Sequence, residues 1–270
     1  MLRVYLLMNS LLSKVVSLTK EAGKQMLSIY HSDFTVEYKA DKSPVTAADL
    51  AAHDIICQGL HQLMPEIPIL SEEVIAPDFA VRQQWQRYWL IDPLDGTKEF
   101  LEKNGEFTIN IALIENNLPT LGVVYAPAFE SCYFAATDQG AFKQIAEQAP
   151  ESLQTCSWQE DSSIIMTVSR RHGGETLQNF FTQFPALSLI RCGSSLKFCW
   201  VAEGFADVYP RFTPTCEWDT AAAQCILQEA GGALIDSQGH LLRYNVEPSL
   251  RNTAFLAVGD KSHAWSKYFV

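Results

Sequence analysis

Residues 92–97 (DPLDGT) bring two aspartates, a glycine and a threonine hydroxyl together directly after the apolar run 88–91 (YWLI). The run predicts a buried strand, and Pro93 and Gly96 favour a tight turn behind it. Such a turn can aim both carboxylates at one point, with the Leu94 carbonyl between them and open backbone at Gly96. Oxygen ligands of this kind suit Mg²⁺. A surface turn rich in aspartate fits the same six residues equally well, so this segment alone does not decide.

Three further acidic residues, Asp49, Glu72 and Asp219, lie at ends of predicted elements, where ligands are usually found. Taken alone, each favours a structural role. Asp49 follows Thr46 by three positions, as in a capping box. Asp219 precedes an alanine-rich helix as an N-cap does, and Glu72 suits a solvated loop. Together with the two aspartates of residues 92–97 they predict a cluster in which like charges raise each other's pKa. Two or three Mg²⁺ ions would neutralise that cluster and create a site for phosphoryl transfer.

Positively charged residues in the second half of the chain can complement the acidic cluster. Residues 193–197 (GSSLK) form a glycine–serine turn that opens a predicted helix, and its backbone N–H groups with Lys197 can hold a phosphate. Arg211 follows a predicted strand and can bind an anion with two hydrogen bonds. His172 follows another strand. Taken singly, Lys197, Arg211 and His172 are more typical of ordinary surface residues.

The spacing of apolar residues predicts an α+β part followed by an α/β part. An antiparallel meander fills residues 107–143, whereas strands and helices alternate after residue 164. The polar stretch 144–161 is the predicted boundary, which gives parts at 1–150 and 151–270 of one continuous domain. Helices are predicted at residues 10–30, 46–63, 175–184, 195–203 and 219–230. Strands are predicted at residues 67–70, 88–91, 107–114, 121–125, 131–136, 140–143, 164–168, 187–190, 206–209 and 233–235.

Composition restricts the classes of function. Of the 270 residues, 47% are hydrophobic and 19% are charged, which is typical of globular α/β proteins. The net charge of −11 argues against a surface for nucleic-acid polymers, although bound Mg²⁺ still allows a small anionic substrate. Seven scattered cysteines without C-x-x-C spacing predict reduced thiols and a cytoplasmic location. No segment reaches the roughly 20 apolar residues of a transmembrane helix. Since no strongly apolar surface stripe is evident, we expect a monomer.

Four motifs resemble, in order and spacing, those of the inositol monophosphatase superfamily of Mg²⁺-dependent, lithium-sensitive phosphatases. They are residues 43–49 (SPVTAAD), 71–73 (SEE), 89–97 (WLIDPLDGT) and 218–222 (WDTAA). Within the superfamily the chain is most similar to the bacterial 3′(2′),5′-bisphosphate nucleotidases of CysQ type. The segments that carry this likeness are residues 96–100 (GTKEF), 104–108 (NGEFT), 193–199 (GSSLKFC) and 209–211 (YPR). One departure is Ala223, where the family commonly has glycine.

The resemblance covers about residues 9–260 and implies both fold and activity. The fold is a layered αβαβα sandwich, in which the metal-binding part at 1–150 packs on the substrate-binding part at 151–270 with the active site between them. The activity is Mg²⁺-dependent hydrolysis of the 3′-phosphate of adenosine 3′,5′-bisphosphate to AMP and phosphate. That reaction removes a by-product of sulfate activation.

The resemblance also implies a role for each matching residue. One Mg²⁺ is held by Glu72, Asp92 and the Leu94 carbonyl, a second by Asp92, Asp95 and Asp219, and a third, weaker one by Glu72 and waters. The catalytic pair that takes a proton from the attacking water is Asp49 and Thr97. The amides of Gly96 and Thr97 bind the scissile phosphate, and Ser194, Lys197, Arg211 and His172 hold the nucleotide and its 5′-phosphate. Residues expected to contact the substrate are Glu72, Leu94, Asp95, Gly96, Thr97, His172, Ser194, Lys197, Arg211 and Asp219.

Three alternatives stay open at this level. An inositol or other sugar monophosphatase would use the same metal site on a different ester. A non-catalytic module would use the acids to bind a structural cation or to sense a nucleotide. Peripheral attachment to the inner face of the bacterial membrane is linked to the CysQ group, but no basic amphipathic stretch supports it here.

Overall fold

The computed structural model describes residues 11–32, 36–38, 44–160, 162–171 and 173–269. Within these residues, two main sheets alternate with layers of helices, in the αβαβα order that the sequence predicted. The helices are α1 (Leu11–Tyr30), α2 (Ala47–Leu63), α3 (Phe79–Arg82), α4 (Thr97–Leu101), α5 (Glu175–Phe181), α6 (Leu196–Ala202) and α7 (Ala221–Glu229). Short 3₁₀ helices lie at Pro127–Phe129, Glu217–Asp219 and Trp265–Tyr268.

The two long N-terminal helices form the first layer. Each is amphipathic, and α1 buries apolar residues at helical spacing, among them Val15, Ala22 and Met26. Helix α2 begins at the predicted N-cap, Thr46, and it has the predicted capping box with Asp49. Both helices pack on one face of the larger sheet. The rest of the chain therefore covers the other face of that sheet.

The larger sheet has seven strands in the sequential order β3 to β9. Strand β3 runs parallel to β4, and each later pair is antiparallel, which confirms the predicted meander. Its last strand lies within the stretch 144–161 that the sequence predicted as the boundary between the two parts. The strands are β3 (Ile69–Ser71), β4 (Arg87–Asp95), β5 (Thr108–Glu115), β6 (Leu118–Ala126), β7 (Ser131–Ala136), β8 (Gly140–Ile145) and β9 (Glu151–Ser152). A separate hairpin joins β1 (Val36–Tyr38) to β2 (Pro44–Thr46).

The segment DPLDGT is a β-bulge in β4, where the sequence predicted a turn after the strand. Asp92 pairs with Asn110 and Asp95 pairs with Thr108, so three steps on β4 oppose two on β5. The extra residue bends the strand but keeps it in the sheet. Only Gly96, with φ of 95°, leaves the strand conformation before α4 begins.

The second sheet has five strands in the order β11-β10-β12-β14-β13. Its first three strands are parallel, as the predicted alternation with helices requires, and β14 is antiparallel to both of its neighbours. Strand β14, which lies between β12 and β13, is not among the strands predicted from the sequence. The strands are β10 (Ile164–Ser169), β11 (Leu187–Cys192), β12 (Val208–Arg211), β13 (Ala233–Ile235) and β14 (Phe255–Val258).

Helices α6 and α7 fill the layer between the two sheets. Their apolar side chains share one core with residues of both sheets, such as Phe198 with Tyr133 and Tyr209. Gly122 in β6 allows this close packing, because a Cβ there would lie 2.2 Å from the carbonyl oxygen of Ala222 in α7. Ala223 of the same helix is buried. The common core rigidly links the strands that carry the acidic and the basic site residues.

Several boundaries differ from the prediction. The helix predicted at 219–230 is a 3₁₀ turn, Glu217–Asp219, followed by α7, and Asp219 therefore ends the turn and is not the N-cap of α7. All seven cysteines lie in the described ranges and are free thiols. None of the described helices combines the length and the apolar character needed to cross a bilayer.

Candidate active site

The bulge in β4 sets the direction of two carboxylates. The Leu94 N–H donates to Oδ1 of Asp92 at 3.0 Å, which fixes that side chain against its own strand. Its other oxygen, Oδ2, is buried without a hydrogen-bond partner in the described residues. An ionised oxygen in that position is costly unless a cation or a proton meets it.

Glu72 and Asp219 bring their carboxylates to the same point. Oxygens of Glu72, Asp92 and Asp219 all lie within 4.8 Å of one another. Glu72 follows β3 directly, and because β3 and β4 are parallel, the ends of the two strands meet at one sheet edge. The 3₁₀ turn supplies Asp219, whose Oδ2 accepts from the Cys216 N–H at 2.8 Å. Three segments distant in sequence therefore meet in one acidic cluster.

Burial and mutual repulsion dominate the electrostatics of this cluster. Burial raises the pKa of Asp92 well above its ordinary value, and the charges of Glu72, Asp95 and Asp219 raise it further. The pKa of Asp219 is raised by burial and then by Asp95 and Glu72, while the Cys216 amide and Arg211 oppose the rise. The carboxylates thus repel each other at neutral pH unless a cation joins them.

The donor set fits Mg²⁺. It offers three carboxylate oxygens at close range, and Oδ2 of Asp92 is buried without a hydrogen-bond partner among the described residues. Mg²⁺ usually binds proteins through one or two carboxylates, together with water and substrate phosphate.

Asp95 lies beside the cluster and is hydrogen-bonded by side chains from two other segments. Its Oδ2 accepts from the Ser195 hydroxyl at 2.7 Å, and Asn110 Nδ2 lies 3.4 Å from the same oxygen. From the sequence, segment 193–197 is predicted to bind phosphate through its backbone and Lys197, without a role for Ser195. The residue type carries no signal for this, because Ser194 and Ser195 are chemically identical.

Asp49 accepts two hydrogen bonds from Thr46 through one oxygen, and the first of them belongs to the capping box. Its Oδ2 accepts from the N–H and from the hydroxyl of Thr46, each at 2.7 Å. Burial raises the pKa of Asp49 to about 6, and the Thr46 hydrogen bonds limit the rise. Helix α4, which begins at Thr97, lies against β2, which ends at Thr46. The hydrogen-bond partner of Asp49 is thus Thr46, and Thr97 begins the helix that packs against the strand ending at Thr46.

A cavity of about 260 Å³ opens between the bulge and the second sheet. Seven predicted site residues line it, namely Asp95, Gly96, Thr97, Ser194, Lys197, Arg211 and Asp219. Asp49, Glu72, Asp92 and Leu94 do not line it. Asp219 belongs to both the acidic cluster and the cavity wall, so the cluster lies at one end of the cavity. His172 is outside the residues that the structure describes.

The two predicted cations lie in the cavity wall, almost fully buried. Lys197 Nζ donates to the Ser194 carbonyl and lies 5.2 Å from the centre of the Tyr209 ring. Arg211 donates through Nε to the Thr213 carbonyl at 3.0 Å and through a terminal nitrogen to the Pro214 carbonyl at 3.4 Å. These hydrogen-bond partners are neutral main-chain oxygens, so neither cation is tied up in a direct ion pair with them and each can still bind an anion.

The cavity also contains an ion pair that the sequence analysis did not assign. Arg171 donates to Glu99 at 2.9 Å and pairs with Glu102, and both Arg171 and Glu99 line the wall. Burial raises the pKa of Glu99, while Arg171 opposes the rise. No local signal marks this pair, because its two residues lie 72 positions apart.

The comparisons with known proteins agree with this geometry. A sequence model described as the inositol monophosphatase family matches residues 8–265. The chain belongs to the inositol monophosphatase family. It is 45% identical over 247 residues to a protein of Salmonella typhimurium described as 3′(2′),5′-bisphosphate nucleotidase CysQ, covering 91% of this chain and 98% of that protein.

Solved structures of the family have the same architecture. The crystal structure of CysQ from Bacteroides thetaiotaomicron superposes with a TM-score of 0.80 at 37% identity, covering 92% of this chain and 96% of that one. An IMPase from Thermotoga maritima gives a TM-score of 0.77 at 23% identity, with 94% of each chain covered, and supports the fold alone. The layered fold is therefore that of the inositol monophosphatase family.

Proposed function

We propose that this chain is a 3′(2′),5′-bisphosphate nucleotidase that hydrolyses the 3′-phosphate of adenosine 3′,5′-bisphosphate to AMP and phosphate. The observation that carries the proposal is the two-ended cavity, with Asp95 and Asp219 at one end and Lys197 and Arg211 in its wall. A bisphosphate has two phosphates, one for the Mg²⁺ ions held at the acidic end and one for the cations in the wall. The relatives named CysQ 3′(2′),5′-bisphosphate nucleotidase support the same substrate class.

The acidic end holds Mg²⁺ in this proposal. Glu72, Asp92 and the Leu94 carbonyl bind one ion, Asp92, Asp95 and Asp219 bind a second, and Glu72 contributes to a third, weaker site. Bound Mg²⁺ lowers the pKa of water and neutralises the phosphate at the point of attack. The orphaned Oδ2 of Asp92 and the crowding of the three carboxylates support this assignment.

Asp49 and Thr97 handle the proton of the attacking water. A threonine hydroxyl is a weak base, so it passes the proton to a carboxylate that is ionised at neutral pH. The Asp49 pKa of about 6 suits that task, since the group is mostly ionised at pH 7 and still basic enough to accept a proton. Both hydrogen bonds from Thr46 fall on Oδ2, which leaves Oδ1 for the Thr97 hydroxyl.

The remaining residues orient the two phosphates. The N–H groups of Gly96 and Thr97 bind the scissile phosphate at the start of α4. Ser194, Lys197 and Arg211 bind the 5′-phosphate, and His172 contacts the nucleotide. Ser194 has a hydroxyl without a partner in the described part of the chain, in the cavity wall, as a ligand-binding group requires.

Phosphate release tests the proposal directly. We would compare adenosine 3′,5′-bisphosphate with myo-inositol 1-phosphate, each with and without Mg²⁺. Fast, Mg²⁺-dependent release from the nucleotide alone is expected. Preference for the inositol ester would keep the metal site and refute the roles of Ser194, Lys197 and Arg211. Release from neither, together with ligand-induced stabilisation, would favour a non-catalytic binding module.

Organisation and assembly stay predictions. We propose two parts, 1–150 and 151–270, that fold as one continuous domain, and the core shared by both sheets supports a single unit. One cooperative unfolding transition is expected. A monomer and a cytoplasmic location are also predicted. Sedimentation and cell fractionation test them, and fractionation would also detect attachment to the membrane.

A further inference from the structure

Two consecutive serines, Ser194 and Ser195, have opposite surroundings. Both line the cavity, and both side chains are almost fully buried. The Ser194 hydroxyl has no hydrogen-bond partner in the described ranges, and its residue has a φ of 43°, in the left-handed region. The Ser195 hydroxyl has three polar neighbours. Ser194 and Lys197 face the cavity, whereas Ser195 connects the same segment to its three polar neighbours.

The three neighbours of Ser195 belong to the acidic end of the cavity. Its Oγ lies 2.7 Å from Asp95 Oδ2 and 2.8 Å from the main-chain oxygen of Asp219. Asn110 Nδ2 donates to the same Oγ at 2.9 Å. Since Asn110 fills one acceptor position, the single hydroxyl proton points towards the other two oxygens. The Asp95 oxygen is the nearer of the two, at 2.7 Å.

This arrangement fixes both ligand-bearing segments relative to each other. The hydrogen bond to Oδ2 of Asp95 sets the plane of that carboxylate and leaves Oδ1 for a cation. The contact with the Asp219 carbonyl holds the end of the 3₁₀ turn close to the bulge in β4. Groups that orient metal-binding carboxylates in this way contribute to metal affinity although they do not touch the metal.

We propose that Ser195 is a positioning residue that orients Asp95 and Asp219 for Mg²⁺ and couples Mg²⁺ binding to nucleotide binding. The coupling follows because the segment 193–197 carries the cavity-facing Ser194 and Lys197 as well as Ser195. A ligand that fixes this segment also fixes the Asp95 carboxylate and the main chain of Asp219, and the effect is reciprocal. This inference rests on the proposed function for the identity of the nucleotide.

The test compares two variants one position apart, Ser195→Ala and its matched control Ser194→Ala. Mg²⁺ binding to the full chain is measured by isothermal titration calorimetry and by the Mg²⁺-dependent rise in Tm, without substrate. Ser195→Ala should weaken Mg²⁺ binding by about tenfold to a hundredfold. Ser194→Ala should leave it within about twofold of wild type, because its hydroxyl contacts no carboxylate. Unchanged affinity in Ser195→Ala, or equal losses in both variants, would overturn the proposal.

A second variant covers the case in which Ser195→Ala does not fold. Ser195→Cys keeps the size of the side chain and replaces the hydroxyl by a weaker donor. Its Mg²⁺ affinity should be lower than that of wild type, by less than the loss expected for Ser195→Ala. Wild-type affinity in a folded Ser195→Cys variant would contradict the assignment.

The coupling is tested by repeating the titration with saturating AMP. AMP has the 5′-phosphate and no 3′-phosphate, so it engages the cationic wall without placing a phosphate among the acids. AMP should tighten Mg²⁺ binding to wild type by about fivefold or more, and the gain should disappear in Ser195→Ala. Equal gains in both proteins would refute the coupling. If wild type does not bind AMP, the proposed substrate is wrong, whereas the comparison of the two alanine variants still decides the positioning role.

Discussion

The two ends of the cavity have opposite electrostatic character. At the acidic end, oxygens of Glu72, Asp92 and Asp219 lie within 4.8 Å of each other, and burial and repulsion raise the pKa of the two aspartates. In the wall, Lys197 and Arg211 donate to main-chain carbonyls, which orient them without neutralising their charge. Lys197, Arg211 and Asp92 are buried, and at the acidic end like charges lie close together.

Because of this difference, the two regions bind different ions from solution. Repulsion between the carboxylates of the acidic end destabilises the metal-free protein. Bound Mg²⁺ would remove that repulsion. The cationic wall is already hydrogen-bonded and keeps its charge for an anion. Variants at the acidic end should therefore affect metal binding and turnover, whereas variants in the wall should affect substrate affinity and selectivity.

The largest effect is expected from removing one negative charge at the acidic end. Asp95→Asn or Asp219→Asn should abolish phosphate release, because the remaining carboxylates no longer hold the metal against the substrate phosphate. Without Mg²⁺, Asp219→Asn should have a higher Tm than wild type, because one repelling charge is gone. Phosphate release and thermal melts with EDTA measure both effects, and near-normal turnover in either variant would refute the metal assignment.

Asp49→Asn should reduce kcat by about a hundredfold to ten-thousandfold, the usual contribution of a positioned general base. In wild type, kcat should fall as the pH drops below about 6, where Asp49 becomes protonated. The variant should lose this acidic limb and keep the substrate KM. A wild-type profile that stays flat from pH 5 to 8 would contradict the role of Asp49.

The same residue predicts how stability depends on pH in the metal-free protein. Its pKa is raised from 3.8 to about 6 on folding, so the unfolded chain loses this proton first as the pH rises. Asp49 thus stabilises the fold below pH 4, and that contribution is lost between about pH 4 and 6. Relative to wild type, Asp49→Asn should gain about 2.5 kcal/mol of unfolding free energy between pH 4 and pH 8. Urea unfolding at both pH values measures the difference, and a constant difference would refute the raised pKa.

Arg211→Gln tests the cationic wall. The KM for adenosine 3′,5′-bisphosphate should rise by about tenfold to a hundredfold, because one charged hydrogen-bond donor to the 5′-phosphate is lost. The KM for adenosine 3′-monophosphate should change little, since that ester has no 5′-phosphate. Arg211→Lys, which keeps the charge and loses the planar donor group, should be intermediate. Equal losses on both nucleotides would place Arg211 elsewhere in the mechanism.

The smallest effect is expected outside the cavity, at the ion pair between Arg170 and Glu106. The Arg170 side chain is 42% exposed, so Arg170→Gln should cost less than about 1 kcal/mol of unfolding free energy. Glu106→Ala should cost more, because the Gly193 N–H also donates to Glu106 at 2.8 Å and would lose its acceptor. Urea unfolding of the two variants compares them. Equal costs would show that the Gly193 hydrogen bond adds no stability.

Short-range sequence signals predicted a large part of the molecule. The capping box of Thr46 and Asp49, the amphipathic α1 and the meander depend on neighbours within a few residues, and the structure confirms them. The family motifs also predicted the αβαβα layers and the meeting of Glu72, Asp92 and Asp219. The first three features follow from residues close together in the chain. The layers and the acidic cluster follow from the order of the family motifs.

The features that only the tertiary structure decided depend on pairing between distant segments. DPLDGT is a bulge and not a turn, because β5 continues to pair with β4 beyond Asp92. Strand β14 lies between β12 and β13, an order that local periodicity does not encode. The distinction between Ser194 and Ser195 depends on which hydroxyl faces Asp95, which is set by the packing of the loop against β4. A shift of one residue changes the neighbours of a side chain completely, and only long-range contacts fix that shift.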